Sequence, residues 1–438
     1  MGYAKGGKTD IILTRESFPP RGWESSCKGS AVIFINQQPS IDQNIFLNRE
    51  VSEFEPSVIR QMTLRADEIP DAINLSQGMP DFDAPEFVKR AASEAIYAGH
   101  NQYAPPVGIL ELRQAVSAHS CSQLGFYPDP LEEVTIACGA TESMFIALVN
   151  LTKPGDKVII PSPTYENYWA DCVLTKVVPE FIRLREPGWR LDLDELTALF
   201  AKEPRAIILC NPNNPTGTVY SRKELTAIAE LCVRHNVVAI TDEVYEHIVY
   251  DGREHLSIAA FPGMRERSVT ISSASKTFSV TGWRIGTIVA TPRISAARRR
   301  VHDFVTISAP RPFQHAIASA FPHAAASGYY SAFTLAYQNR RELLYNALRE
   351  AGFMVNRPEG AYYLLADISA SGENDTAFAM RMLKEAKVAA VPASCFFADK
   401  EVGRRYVRFC FCKTDALMQR AAEKLTRWQG AASRRVVD

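Results

Sequence analysis

The run Ser272-Ser273-Ala274-Ser275-Lys276-Thr277-Phe278-Ser279-Val280-Thr281-Gly282-Trp283-Arg284-Ile285-Gly286 follows directly on a short β-branched stretch, Ser268 to Ser272. It places a lysine just past the end of a buried strand, among hydroxyls, with an arginine eight residues further on. Those residue types suit an amine that forms an imine with a carbonyl cofactor while hydroxyls and a guanidinium bind a phosphate. Alone, a lysine among serines reads more readily as a solvated loop, so the neighbouring segments decide.

Reading outward, similar runs recur at Val134 to Ala137, Lys157 to Pro161, Ala206 to Cys210, Val237 to Thr241 and Ile285 to Ala290, separated by helical patterns. Strands apolar on both faces are covered by helices on both sides, so the fold class is α/β with a mainly parallel sheet. Ser221 to His235 shows an intervening helix: Ser221 caps, Glu224 stands three residues on, and Leu225, Ile228, Ala229, Leu231 and Cys232 form the apolar stripe. A ligand is expected at the carboxyl ends of these strands. After about residue 312 the pattern changes to a long helix (Tyr337 to Ala351), strand-like pieces (Ala361 to Ala366, Tyr406 to Cys412) and a terminal helix (Thr414 to Trp428), which reads as a smaller α+β domain.

Three further segments fall at strand ends. Asp242 closes the run Val237-Val238-Ala239-Ile240-Thr241, with Tyr245 one turn away. An acid there either caps a helix or holds a heteroaromatic ring nitrogen protonated. Asn211-Pro212-Asn213-Asn214-Pro215-Thr216-Gly217 has turn composition but is longer than a turn requires. Cys138-Gly139-Ala140-Thr141-Glu142-Ser143 joins a strand to an apolar helix, where free N–H groups suit a phosphate.

Composition limits the partners. Of 438 residues, 49 are Lys or Arg and 49 Asp or Glu, a formal balance of zero that argues against a nucleic-acid clamp or a polybasic membrane binder. A small-molecule partner is expected. No stretch approaches the roughly 18 consecutive apolar residues of a membrane helix, and the nine Cys include no C-x-x-C pair, which points to structural thiols in a reducing, cytoplasmic setting. The first 46 residues sustain no period and are expected to form a loosely ordered extension.

Taken together, Gly78 in Asn74-Leu75-Ser76-Gln77-Gly78-Met79-Pro80-Asp81-Phe82, Gly139-Ala140-Thr141, Asn213-Asn214-Pro215-Thr216-Gly217, Asp242-Glu243-Val244-Tyr245, Ser273-Ala274-Ser275-Lys276 and Arg408 resemble the class I aminotransferases. These are pyridoxal 5′-phosphate (PLP) enzymes of fold type I. The resemblance runs from about Leu47 to the C-terminus, and Tyr362 to Ser369 with Tyr406 to Phe411 is similar to the kynurenine and glutamine aminotransferase branch. It implies residues 47–95 and 312–438 as a small domain, 96–311 as the large cofactor-binding domain, and a homodimer with active sites at the subunit interface.

For the site, the resemblance implies Lys276 as the cofactor-linked lysine and proton shuttle, Asp242 at the pyridine nitrogen, and Tyr245 with Asn214 at the ring oxygen. Gly139, Ala140, Thr141, Ser273, Arg284 and Tyr103 of a neighbouring subunit would bind the phosphate, and Tyr165 would stack on the ring. Arg408, beside the Gly78 backbone, would grip the substrate α-carboxylate. Arg311 stands where a small residue is usual, which implies contact with an acidic or phosphorylated substrate or an ion pair at the subunit interface. The Glu55-Pro56-Ser57 stretch lacks the aromatic residue of the kynurenine branch. The expected activity is amino-group exchange between an L-amino acid and a 2-oxo acid. The alternative is a PLP-dependent lyase or β/γ-replacement enzyme acting on a sulfur-containing amino acid or S-adenosylmethionine.

Overall fold

The structure is a computed structural model, and it describes residues 56–428. The extension expected over residues 1–46 lies outside the described residues. The described residues form one compact unit.

Strands in chain order are β1 (Ile73–Asn74), β2 (Val134–Ala137), β3 (Lys157–Ser162), β4 (Val178–Arg183), β5 (Ala206–Cys210), β6 (Val238–Asp242), β7 (Ser268–Ser273), β8 (Gly286–Val289), β9 (Met354–Val355), β10 (Tyr363–Asp367), β11 (Val388–Ala389), β12 (Val391–Pro392) and β13 (Tyr406–Cys410). Seven of them form the central sheet in the order β2-β8-β7-β6-β5-β3-β4. All neighbours pair in parallel except β8, which runs antiparallel to both β2 and β7.

Helices cover both faces because each strand feeds two layers. On β5, Ala206, Ile208 and Cys210 enter one apolar cluster and Ile207 and Leu209 the other, as the alternation of side chains along a strand requires. The helix Arg222–His235 begins at the expected capping box, with Ser221 Oγ accepting from Glu224 N at 3.2 Å and the Glu224 carboxylate accepting from Ser221 N at 2.8 Å. Its anticipated stripe is buried, and it ends on Asn236 in the left-handed region.

Strand β4 is the one central strand missing from the sequence reading. It lies at the sheet edge and is mostly half-exposed, so Val178-Pro179-Glu180-Phe181-Ile182-Arg183 lacks the continuous apolar run of its neighbours. The second region holds a four-stranded antiparallel sheet, β12-β13-β10-β9, packed with helices. Its long helix spans Tyr329–Glu350 and so begins eight residues before the periodic stretch, after Gly328 in the left-handed conformation.

Candidate active site

Topology gathers the expected segments along one edge of the central sheet. Strands β2, β3, β5, β6 and β7 run the same way and deliver Cys138 onward, Tyr165, Asn214, Asp242 and Lys276 at their carboxyl ends. Because β8 runs the other way, the loop ahead of it brings Arg284 to the same edge, with Ser273 paired to Gly286. A cavity of about 930 Å³ opens there. Gly78, Ala140, Thr141, Tyr165, Asn214 and Asp242 line it, as do Tyr245, Ser273, Lys276, Arg284 and Arg408.

Lys276 lies on the short helix Ala274–Thr277, capped by Ser273 Oγ, which accepts from Ser275 N at 3.1 Å. Its Nζ is 3.5 Å from Gly78 O and 5.7 Å from the centre of the Tyr362 ring. Burial lowers the Lys276 pKa below the usual lysine range, against the opposing pull of Asp242. Asp242 is buried, and burial raises its pKa; Tyr168 Oη, donating to Oδ2 at 2.6 Å, and Val244 N, donating to Oδ1 at 3.2 Å, oppose that rise. Asp242 is therefore not a helix cap: no helix follows it directly, and its carboxylate closes a local turn.

The phosphate end is shaped by close approach. Gly139 has φ +82° and starts the helix Gly139–Leu151, whose N-cap Cys138 makes no side-chain capping bond. The first-turn N–H groups are left for a ligand. A Cβ on Gly139 would collide with the Arg284 guanidinium, which donates to Cys138 O at 3.3 Å and Thr281 O at 3.1 Å. This cradle, with a cation beside free N–H groups, fits a phosphate dianion.

Arg408 sits on β13, 1% exposed, and donates to Asn214 Oδ1 at 2.9 Å and Ser76 O at 2.8 Å. Its guanidinium lies 4.3 Å from the Tyr363 ring centre and 4.4 Å from that of Phe396. Nε is buried without a partner, so a fork held by one side-chain oxygen, one backbone oxygen and two aromatic faces still has donors to offer an anion. The Gly78 carbonyl accepts from Tyr362 Oη at 2.9 Å, and a Cβ at Gly78 would strike the Tyr363 hydroxyl. Tyr245 Oη donates to Tyr363 Oη at 3.2 Å.

The model of the family described as aminotransferase class I and II matches residues 70–425. The chain belongs to the class I and II aminotransferases. It is 37% identical to a methionine aminotransferase of Escherichia coli over 84% of this chain and 95% of that protein. It is 34% identical to a kynurenine–oxoglutarate transaminase of Dictyostelium discoideum over 86% of this chain and 95% of the relative. Among solved structures, the N-succinyldiaminopimelate aminotransferase of Mycobacterium tuberculosis superposes with a TM-score of 0.83 at 37% identity, covering 87% of this chain and 99% of that one.

This aminotransferase has the fold type I architecture, α/β with a mostly parallel sheet between helices, and it uses pyridoxal 5′-phosphate. The relatives are aminotransferases by name, and the comparisons lend the lyase alternative no support. Three expected residues are not in the lining of their own chain's cavity: Gly139 packs against the Arg284 guanidinium, Tyr103 is 75% exposed, and Arg311 begins the helix Arg311–Ala326 with its Nε buried and unpartnered. Two others were missed. Tyr168 holds Asp242 from the first turn of the helix Glu166–Thr175, three residues after its N-cap Tyr165, and the two ring centres lie 5.8 Å apart. Tyr363 has no assigned role within the Tyr362 to Ser369 motif, yet it touches Tyr245, Arg408 and Gly78.

Proposed function

We propose that the enzyme exchanges amino groups with Lys276 as the proton carrier, Asp242 as the counter-charge to the cofactor ring and Arg408 as the anchor of the substrate α-carboxylate. The observation that carries this reading is the convergence of these three side chains on one cavity at the carboxyl edge of the sheet. Pyridoxal 5′-phosphate supplies, when bound, an electron-withdrawing ring that acidifies the substrate Cα–H bond.

Gly139, Ala140 and Thr141 would bind its phosphate through first-turn N–H groups, with Ser273 and Arg284 beside them. Tyr165 would cover the ring face, and Tyr245 with Asn214 would meet the ring oxygen. Asn214 Oδ1 is engaged by Arg408, so its amide N–H₂ is the group free to donate. Asp242, whose ionised form Tyr168 favours against burial, would hold a proton on the cofactor ring nitrogen. Lys276 Nζ, its basicity trimmed by burial, would take the substrate Cα proton as a neutral amine and deliver it to the cofactor C4′.

A homodimer belongs to the same reading. Tyr103 and Phe304 are 75% and 92% exposed, and a second copy would cover them while Tyr103 completes its neighbour's phosphate site. Arg311 is placed at that subunit boundary, where it either pairs with the partner or meets an acidic side chain of a substrate. The domain limits at 95/96 and 311/312 are retained with it. No helix among the described residues is long and apolar enough to cross a membrane, and all eight described cysteines are free, which supports a cytoplasmic enzyme.

Pro56, Ser57 and Trp169 line the cavity, so the stretch that lacks the kynurenine-branch aromatic borders it at Pro56 and Ser57. A panel of amino acids supplied in single equivalents, scored for release of the matching 2-oxo acid, tests the reading. Release of ammonia instead of amino-group retention would overturn it.

A further inference from the structure

Outside the lining of the cavity, the helix Leu110–Leu124 and the turn after β6 bring three metal-ligating side chains together. His119 Nε2 and His247 Nε2 face each other at 3.0 Å. Glu246 Oε1 lies 3.9 Å from the first and 4.0 Å from the second. The three side chains are only 11%, 7% and 12% exposed for His119, Glu246 and His247.

The two imidazoles are within hydrogen-bond distance of each other, and the spacing of the three groups is near that of ligands around a shared cation. Two nitrogens each about 2.0–2.1 Å from a zinc ion at a tetrahedral angle stand roughly 3.3 Å apart. The nitrogens here are slightly closer than that, and the carboxylate oxygen is almost equidistant from both. A shift of roughly half an ångström in Glu246 completes a three-ligand face, with the fourth position left for water.

The surroundings hold the ligands in these orientations. Tyr330 stacks on His247 with ring centres 4.1 Å apart and planes 17° from parallel, and Phe321 stacks on His119 at 4.4 Å and 27°. Tyr330 Oη lies 3.4 Å from His119 Nδ1, leaving Nε2 as the inward-facing nitrogen, and Ser272 Oγ donates to Glu246 Oε1 at 2.6 Å. Such outer contacts are what orient imidazole and carboxylate ligands around a metal.

The geometry points to His119, Glu246 and His247 as a binding site for a divalent cation of the zinc class, separate from the cofactor cavity. Two imidazoles and one carboxylate select zinc, cobalt or nickel over magnesium or calcium, which prefer all-oxygen sets. The site has a mechanical consequence. Glu246 and His247 follow Tyr245 directly, and Ser272 immediately precedes Ser273, so an ion there ties the turn carrying Asp242 and Tyr245 to the helix Leu110–Leu124.

The test uses untagged, cofactor-loaded protein stripped with a chelator and titrated with cobalt(II), then zinc(II). The expected result is one cobalt per chain with the intense visible absorption of a four-coordinate site, displaced by zinc. Both signals should vanish in His247→Gln and in His119→Asn while the cofactor absorption stays unchanged, and zinc should raise the thermal midpoint of the parent protein but not of His247→Gln. No stoichiometric cobalt, or equal binding in His247→Gln, overturns the proposal. If His119→Asn does not fold, the His247→Gln comparison decides.

Discussion

Tyr168 Oη donates to Asp242 Oδ2 at 2.6 Å, and both residues are buried. The bond crosses from the helix after β3 to the end of β6, and it stabilises the ionised form of a carboxylate that burial pushes toward the neutral one. Tyr168→Phe removes it. Losing one hydrogen bond to a charged group costs about 1.5–3 kcal/mol, so kcat should fall at least about tenfold. Asp242 must be ionised to act, and its pKa rises further in the variant. The acidic limb of the kcat profile should therefore move to higher pH, and an unmoved limb would remove Tyr168 from the site.

Gly139→Ala tests the phosphate cradle. An alanine at φ +82° is strained by roughly 1–2 kcal/mol, and its methyl displaces the Arg284 guanidinium. The PLP dissociation constant, followed by equilibrium dialysis, should rise by about tenfold or more, and the same strain should lower the thermal midpoint of the cofactor-free protein by a few degrees.

Arg408→Lys keeps the charge and loses the fork. A lysine cannot contact Asn214, Ser76 and a carboxylate together in the planar geometry that Arg408 offers. KM should rise by about one to two orders of magnitude for every amino acid tested, whatever its side chain, because the α-carboxylate is common to all. A rise confined to a few substrates would place Arg408 at the side-chain end instead.

Asp171 lines the cavity with Oδ2 buried and unpartnered, and burial pushes its pKa up to about 7. The folded value lies above the unfolded one, so the folded state holds the extra proton at pH between them, and stability falls as pH rises through that window. Asp171→Asn removes the penalty. Its thermal midpoint should exceed that of the parent by a margin that grows between about pH 4 and about pH 7 and levels off above it; a constant margin would show that Asp171 does not titrate there.

The sequence alone determined the layers and the chemistry-bearing segments. Unbroken apolar runs such as Ala206 to Cys210 can be satisfied only between two helical layers, and Lys276, Asp242, Asn214 and Gly139 each sit next to such a run, where chain order and strand ends coincide. Residue type was informative because burial and local turn chemistry act over a few neighbours. Edge strand β4, the reversed direction of β8 and the early start of the helix Tyr329–Glu350 were not legible, since each depends on what packs alongside.

Only the tertiary structure decided which side chains meet. Arg408 and Asn214 are 194 residues apart and share a 2.9 Å hydrogen bond, and Tyr168 reaches Asp242 across 74 residues. His119 meets His247 across 128. No local propensity encodes such pairs. They exist because parallel strands place their carboxyl ends side by side and the second region closes β13 over that edge, a geometry fixed by the packing of the whole chain.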